Sequence, residues 1–304
     1  MQFVRNFEDL FELACAKGVA RRRVATVFPH DDHTLEAVEG ALRRGFADFI
    51  LVGKAAELQA LPFVDEFADR IEIVDVSDSD EAARVAVQIV RDGGADVLMK
   101  GKLNTDNLLR AVLNKEHGIL PAGQVLSHIT VAEIPDRDKL LIYSDVAVIP
   151  EPTLAQREAM MGYLAATGRM LGIDAPRIAL IHFTEKVNPK FPVSTDYVAL
   201  KEMAAEGKWG NVIVDGPMDI PTAVEPEAGQ IKGIVSPIEG KADCLMLPNI
   251  QAANVFYKTV SHFGGATNAG MLVGTTAPVV LPSRGDSTQG KLASLALACV
   301  SAMH

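Results

Sequence analysis

Several features of other protein classes are absent or rare in this 304-residue sequence. It has three cysteines, Cys15, Cys244 and Cys299, with no CxxC spacing, so neither a disulfide framework nor a zinc site is expected. No apolar run approaches the ~18 residues that a membrane span needs. The net charge of −10 argues against nucleic acid or an anionic membrane as partner. We therefore expect a cytoplasmic protein in a reducing compartment.

Repeats, low-complexity tracts and Gly/Ser linkers are also missing, and the hydrophobic content of 48% excludes bulk disorder. Short β-branched runs instead alternate with helical patterns, which is typical of an α/β fold with a mostly parallel sheet. The pattern predicts strands at Val24–Phe28, Phe49–Val52, Ile71–Val76, Val97–Met99, Ile178–Phe183, Val212–Val214, Cys244–Leu247 and Met271–Val273. It predicts helices at Thr34–Arg44, Asp80–Arg91, Thr105–Lys115, Thr153–Leu171, Asp196–Glu206 and Ala252–Phe263, after an amphipathic first helix with Phe7, Leu10, Phe11 and Ala14 on one face.

Residues 125–148 interrupt this alternation. Two extended runs flank the polar turn 135–138, which predicts an antiparallel hairpin and marks a domain boundary. The apolar segment KLASLALACVSAMH predicts a last helix, which we expect to pack back on the first domain. The predicted domains are therefore 1–126 with 287–304, and 127–286.

The most informative segment for chemistry is SRGDS, which begins at Ser283 between a predicted strand and the last helix. Open α/β sheets bind ligands at the carboxyl ends of their strands, and the first turn of a helix stabilises an anion. Arg284 would add a charge-assisted contact to phosphate, and Ser283 a hydroxyl donor. Asp286 has two interpretations, a proton acceptor or the N-cap of the helix, and the sequence alone favours the cap.

A second basic cluster follows the strand ADVLM and opens a helix. Lys100, Lys102 and Arg110 belong to it, with Thr105 as the expected N-cap of the helix. A phosphate cradle and a solvated basic turn are equally favoured, because the spacing departs from that of a P-loop.

A third polar loop, TEKVNPK, follows the strand IALIHF and holds Thr184, Lys186 and Asn188 in the position of a substrate loop. A fourth, VDGP, is also consistent with a simple turn. The segment FGGATNAG departs from GxGxxG, which disfavours a dinucleotide site. Four polar strand-end loops in an acidic chain indicate a polyanionic small-molecule ligand.

Seven segments, in order, resemble the phosphate acetyl/butaryl transferases, also called phosphotransacylases. They are ADVLMKGKLNTDNLLRAVLNKEHGI, LSHITVAEIP, LLIYSDVAVIPEPT, TEKVNPKFPVSTD, IVDGPM, KADCLMLPNIQAANVFYKTVSHFGGATNAGMLVG and PVVLPSRGDS. The resemblance implies the reaction acyl-CoA + phosphate = acyl phosphate + CoA. ADVLMKGK, TEKVNPK, the SRGDS spelling and the short length look closer to the butyryl branch than to the acetyl branch.

The resemblance also implies two three-layer α/β/α domains like those of isocitrate and isopropylmalate dehydrogenases, with the active site in the interdomain cleft. Ser283 and Arg284 match the family's Ser-Arg pair, the arginine for phosphate and the serine for the charge that develops at the thioester carbon. Arg110 matches an arginine implicated in CoA or phosphate binding. Acyl-CoA and phosphate would be substrates, with no metal, no tightly bound cofactor, and a homodimer or larger homo-oligomer as the assembly.

One position departs from the family. The acetyl branch has an acidic residue seven positions after the serine, as proposed base for the CoA thiol, and this chain has Gly290 there. Asp286 is the natural substitute. Two alternatives stay open, a non-catalytic CoA- or phosphate-binding protein and a metal- or NAD-dependent dehydrogenase of the same fold. The helices Ala252–Phe263 and Thr153–Leu171 are candidate oligomer interfaces, although core packing is the favoured use.

Overall fold

A computed structural model describes residues 3–16, 18, 20–283 and 285–303. Its contacts divide the chain into two compact units. We call Met1–Asn6 with Ser127–Thr267 the central unit, and Phe7–Leu126 with Asn268–His304 the bipartite unit. Each unit thus consists of two separate segments, and the chain passes from the central to the bipartite unit, back to the central unit and finally to the bipartite unit.

These units differ from the predicted domains at residues 1–6 and 268–286. Residues 268–286 group with the first part of the chain because their strands pair with each other and then with a strand near residue 98. The domain boundaries themselves stay a prediction.

Twelve helices and eleven strands are found in the described part of the chain. In chain order they are α1 (Phe7–Ala14), β1 (Arg22–Val27), α2 (Asp32–Arg44), β2 (Ala47–Gly53), α3 (Ala55–Gln59), α4 (Pro62–Glu66), β3 (Ile71–Asp75), α5 (Ser79–Arg91), β4 (Val97–Lys100), α6 (Thr105–Val112), β5 (Ser127–Glu133), β6 (Leu141–Ser144), α7 (Leu154–Met170), β7 (Arg177–Ile181), α8 (Pro192–Ala205), β8 (Ile213–Met218), α9 (Ile220–Val224), α10 (Pro226–Lys232), β9 (Cys244–Met246), α11 (Ile250–His262), β10 (Thr267–Val273), β11 (Val279–Val280) and α12 (Thr288–Ser301).

Both units are mixed α/β structures, as predicted. In the bipartite unit the strand order is β3-β2-β1-β4-β11-β10, and every neighbouring pair is parallel except β11 with β10. In the central unit the order is β5-β6-β9-β7-β8. There β5 and β6 form the predicted antiparallel hairpin, and the remaining pairs are parallel.

Local signals explain several helix boundaries. The Asp31 side chain accepts a hydrogen bond from the N–H of Thr34 at the start of α2, and Gly45 ends that helix in the left-handed region with φ 88°. At the start of α7, Thr153 and Gln156 form a reciprocal capping box. None of the described helices is long and apolar enough to cross a membrane.

The outer helices of the bipartite unit bury the residues that their patterns predict. In α1 the buried residues are the four expected ones, Phe7, Leu10, Phe11 and Ala14. In α12 every residue from Gly290 to Val300 is buried, and the helix packs against both α1 and α2. The last helix thus packs against helices from the first part of the chain.

Two expectations for the central unit are wrong. The segment Val214–Pro217 is not a loop, because β8 continues through it to Met218 and pairs with β7 across a register shift. The helix α11 is not a core helix, because Ala253 is its one buried residue between Ile250 and His262.

Candidate active site

Three parallel strands bring predicted site residues of the bipartite unit together. β1, β4 and β11 are neighbours with the same direction, so the loops that follow them meet at one edge of the sheet. A cavity of about 550 Å³ lies there, a volume that suits a small ligand. It is lined by Asp31, His33, Ser79, Lys100, Gly101, Lys102, Leu103, Asn104, Asn107, Pro282, Ser283 and Lys291.

The loop after β4 is held tightly against the end of β1. The N–H of Gly101 donates to the carbonyl of Val27 at 2.8 Å, and the N–H of Lys102 donates to that of Phe28 at 2.8 Å. A Cβ at Gly101 would lie 2.5 Å from the Phe28 oxygen, so this approach requires glycine. Lys100 is consequently buried while Lys102 is exposed, and both line the cavity.

Ser283 and Asp286 are hydrogen-bonded to each other just before α12. The backbone N–H of Ser283 donates to Oδ2 of Asp286 at 2.7 Å, and the N–H of Asp286 donates to the Ser283 carbonyl at 3.2 Å. The N-cap of α12 is Ser287, whose hydroxyl accepts from the N–H of Gly290 at 3.1 Å. The capping interpretation of Asp286 is therefore wrong. Arg284 lies outside the described residues.

The position of the acetyl-branch acid is tightly enclosed. Gly290 is buried in the first turn of α12. A Cβ there would lie 3.0 Å from the backbone oxygen of Asn268 and 3.5 Å from the Ser287 hydroxyl. A side chain at this position would thus require the Asn268 carbonyl to give way by a few tenths of an ångström, whereas the Ser287 hydroxyl lies at ordinary contact distance.

Sequence reasoning missed an ion pair at this cavity. The Lys291 ammonium, with the residue only 4% exposed, donates to Asp31 Oδ1 at 3.1 Å and to Thr34 Oγ1 at 3.4 Å. Burial raises the pKa of the Asp31 carboxyl, but hydrogen bonds from Thr34 and Lys291 outweigh burial and hold that pKa below its usual range. The available signal was Lys291 itself, the one charged residue in the apolar helix.

The charges that line the cavity favour an anion. Among the described residues that line it, Lys100, Lys102 and Lys291 carry three positive charges against the single carboxylate of Asp31. Two of these lysines are nearly buried, so their attraction for an anion is weakly screened by solvent. Ser283 adds a hydroxyl at the same cavity.

Arg110 does not line this cavity. It is exposed on α6 and lines a second cavity of about 630 Å³ between α5 and α6. Asn107 borders both cavities. The other residues that line the second one are Asp80, Glu81, Arg84, Val85, Val87, Gln88, Ala111, Asn114 and His117.

Thr184, Lys186 and Asn188 belong to the loop after β7 in the central unit. The Thr184 N–H donates to Nδ1 of the buried His182 at 3.3 Å, and its hydroxyl accepts from the Lys186 N–H at 3.3 Å. The Asn188 N–H donates to the Ser194 hydroxyl at 3.0 Å. These bonds order the loop and leave the Lys186 side chain exposed. No group of three or more His, Cys, Asp or Glu in the described residues could hold a metal.

Comparison with known sequences connects this chain to one family. The model of the family described as phosphate acetyl/butaryl transferase matches residues 70–299. A phosphate butyryltransferase of Clostridium beijerinckii is 38% identical in an alignment 303 positions long that covers 97% of this chain and 97% of its own. A phosphate acetyltransferase of Thermotoga maritima is 36% identical over 96% of this chain and 98% of its own.

Solved structures agree in fold. A branched-chain phosphotransacylase from Enterococcus faecalis V583 is 31% identical with a TM-score of 0.80, over 93% of this chain and 99% of that one. A 4-hydroxythreonine-4-phosphate dehydrogenase from Klebsiella pneumoniae, only 15% identical, has a TM-score of 0.52 over 94% of this chain and 99% of its own. The second likeness concerns the fold alone, and it agrees with the expected dehydrogenase-like fold class.

Proposed function

The chain belongs to the phosphate acetyl/butaryl transferase family, and we propose that it catalyses reversible transfer of a short-chain acyl group between CoA and inorganic phosphate. The observation that carries this proposal is the cavity at the ends of β1, β4 and β11. Ser283 lines it together with three lysines, which suits a phosphate dianion beside a reacting carbonyl. The near full-length likeness to named acyltransferases supports the same reaction.

In the proposed mechanism both substrates are bound at once and no covalent enzyme intermediate forms. A phosphate oxygen attacks the thioester carbonyl, the C–S bond breaks, and CoA leaves as a thiolate that takes up a proton. Arg284 binds the phosphate. Among the described residues, the Ser283 hydroxyl accepts one long contact, from the Gly285 N–H at 3.4 Å, so its own hydrogen can be donated to the carbonyl oxygen as negative charge develops.

In the reverse direction the CoA thiol must lose its proton before it attacks the acyl phosphate. Asp286 is the proposed acceptor, because its carboxylate is bonded to Ser283 and the alternative position, Gly290, carries no side chain. The enclosed surroundings of Gly290 are consistent with a proton acceptor elsewhere in this chain.

The remaining polar residues are proposed to bind the two substrates. Lys100 and Lys102 attract phosphate at the cavity, whereas Arg110 and the loop of Thr184, Lys186 and Asn188 bind CoA. CoA and phosphate are consumed in each turnover, and no tightly bound cofactor is proposed.

The acyl group is proposed to be butyryl or branched-chain rather than acetyl. The similar butyryltransferase and the branched-chain phosphotransacylase support this preference. One methylene changes discrimination by only ~1–3 kcal/mol, so the preference must be measured directly.

We also propose a homodimer or larger homo-oligomer in the cytoplasm. The exposed apolar side chains Val255 on α11 and Phe263 just after it support self-association, because such surface is usually covered. Cys244 and Cys299 are free and buried, and burial raises the pKa of both thiols. Unreactive core thiols suit a reducing compartment.

The test is release of free CoA thiol from acetyl-CoA, butyryl-CoA and isobutyryl-CoA, with and without phosphate. We expect phosphate-dependent release, fastest with the four-carbon acyl groups. Faster turnover of acetyl-CoA would overturn the chain-length preference alone. If CoA binds but no acyl-CoA turns over, the protein is a non-catalytic member of the family.

A further inference from the structure

Lys291 is a buried cation whose hydrogen bonds to the described residues use two of its three N–H donors. An ammonium group has three N–H donors, and two of them bind Asp31 and Thr34. The third meets no protein acceptor within the described residues. Because the same side chain lines the cavity beside Ser283, its remaining donor is available to a ligand there.

The simplest alternative is a purely structural ion pair. Lys291 lies on α12 and Asp31 at the N-cap of α2, so the bond between them fastens two packed helices. Burial of an ammonium is costly, however, unless all of its donors are satisfied. The bonds to Asp31 and Thr34 satisfy two of the three donors of Lys291, and an anion in the cavity would satisfy the third.

The surroundings of Lys291 are suited to a doubly charged anion. Lys100 is similarly buried and lines the same cavity, and Lys102 lies at its exposed side. Among the described residues that line the cavity, these three cations face one carboxylate, that of Asp31, which already accepts from Lys291 and from the Thr34 N–H. The exposed Glu36 also interacts electrostatically with Lys291. The described lining residues thus carry a net charge of about +2, which balances a phosphate dianion near neutral pH.

We propose that Lys291 is a phosphate-binding residue of this site. Its third N–H donates to an oxygen of inorganic phosphate, or to the phosphoryl group of the acyl phosphate in the reverse reaction. The first turn of α12 thus presents an ammonium to the cavity, one position after Gly290. This inference rests on the proposed function for its role in turnover, but phosphate binding itself can be measured without turnover.

Asp31 supplies a control that separates binding from structure. Lys291→Met and Asp31→Asn both break the ion pair, and asparagine still caps α2. A structural pair predicts the same consequence for both substitutions. A phosphate ligand predicts opposite ones, because Lys291→Met removes the attracting charge and Asp31→Asn removes a repelling one.

The experiment measures the Kd of inorganic phosphate by calorimetry and the KM values for phosphate and acyl-CoA, with thermal unfolding as the check on folding. We expect Lys291→Met to raise the phosphate Kd and KM about tenfold or more and Asp31→Asn to lower them about twofold. The KM for acyl-CoA stays within about twofold in both. Lys291→Arg should retain most of the affinity for phosphate, and it serves as the informative variant if Lys291→Met does not fold.

Two outcomes would overturn the proposal: an unchanged phosphate Kd in Lys291→Met, or an equal rise of that Kd in both variants. Failure of the proposed function is a separate result. If the wild type binds phosphate through Lys291 yet releases no CoA thiol from any acyl-CoA, the binding residue stands and the acyltransferase assignment falls.

Discussion

The helices α11 and α12 have similar lengths, 13 and 14 residues, and both are rich in apolar side chains, but their environments are opposite. From Gly290 to Val300 α12 is buried without interruption, whereas α11 buries Ala253 alone and leaves Val255 65% exposed. The apolar composition of a helix therefore predicts that its surface will be buried, but it does not predict whether the same chain or another molecule buries it. For α12 the cover is its own chain, and for α11 the proposed cover is a second copy.

The difference also has a functional side. A helix that is buried from Gly290 onwards holds its first turn in place, and Ser287, Gly290 and Lys291 lie in or next to that turn. The exposed face of α11 has no such constraint and is free to vary in composition with little effect on its own unit. The following substitutions test this contrast.

The largest expected effect is on stability. Leu295→Ala in α12 removes a fully buried side chain, so the free energy of unfolding should fall by about 2–5 kcal/mol. Val255→Ala in α11 should change it by less than about 0.5 kcal/mol. Urea denaturation of both variants measures the difference, and equal losses would show that the two helices are equally packed.

The next largest effect is the loss of activity that we expect from substitutions at Ser283 and Arg284, just before α12. Ser283→Ala should lower kcat about 100-fold, equivalent to ~2.7 kcal/mol, because one donor to the developing charge is lost. Arg284→Gln should remove most of the phosphate-dependent turnover. Both variants should unfold at the wild-type temperature. Near-normal rates of CoA thiol release would refute these roles.

Gly290→Asp tests whether the acidic residue of the acetyl branch fits this chain. We expect the free energy of unfolding to fall by about 1 kcal/mol or more, because the new Cβ would crowd the Asn268 carbonyl. The added carboxylate next to Lys291 should also raise the KM for phosphate. Unchanged stability together with an unchanged KM for phosphate would contradict both expectations.

On α11 the expected change is in assembly rather than in folding. Val255→Asp places a charge on the exposed apolar face, which should shift the protein towards the monomer in light scattering after size exclusion. The free energy of unfolding per chain, extrapolated for the monomer, should stay within about 0.5 kcal/mol of the wild-type monomer. An unchanged mass would place the oligomer contact elsewhere.

The smallest effect concerns pH. The pKa of Asp31 is lower in the folded protein than its usual value of about 3.9, so the folded state favours the ionised form. That contribution to stability is complete above the usual value and is lost as pH falls through the lower, folded value. The stability difference between wild type and Asp31→Asn should therefore shrink below about pH 4, whereas a constant difference would show that Asp31 does not titrate in that range.

Local patterns predicted much of the fold. The alternation of strands and helices and the hairpin of β5 and β6 both follow from periodicity within short windows. The Lys291–Asp31 ion pair was not predicted, because it joins residues 260 positions apart, and no local sequence pattern encodes a contact between such distant residues. Asp286 and Ser287 are both good caps, so the choice between them depended on the geometry of the turn.

The strand pairing of β4 also dictates an order of events during synthesis. Its neighbours are β1, made earlier, and β11, which leaves the ribosome only after the whole segment Ser127–Thr267. The cavity at their ends cannot be complete until that late strand has docked. Nascent chains stalled before residue 279 should therefore fold the central segment yet bind no phosphate. The ability to bind phosphate is thus the last property that the chain acquires during its synthesis.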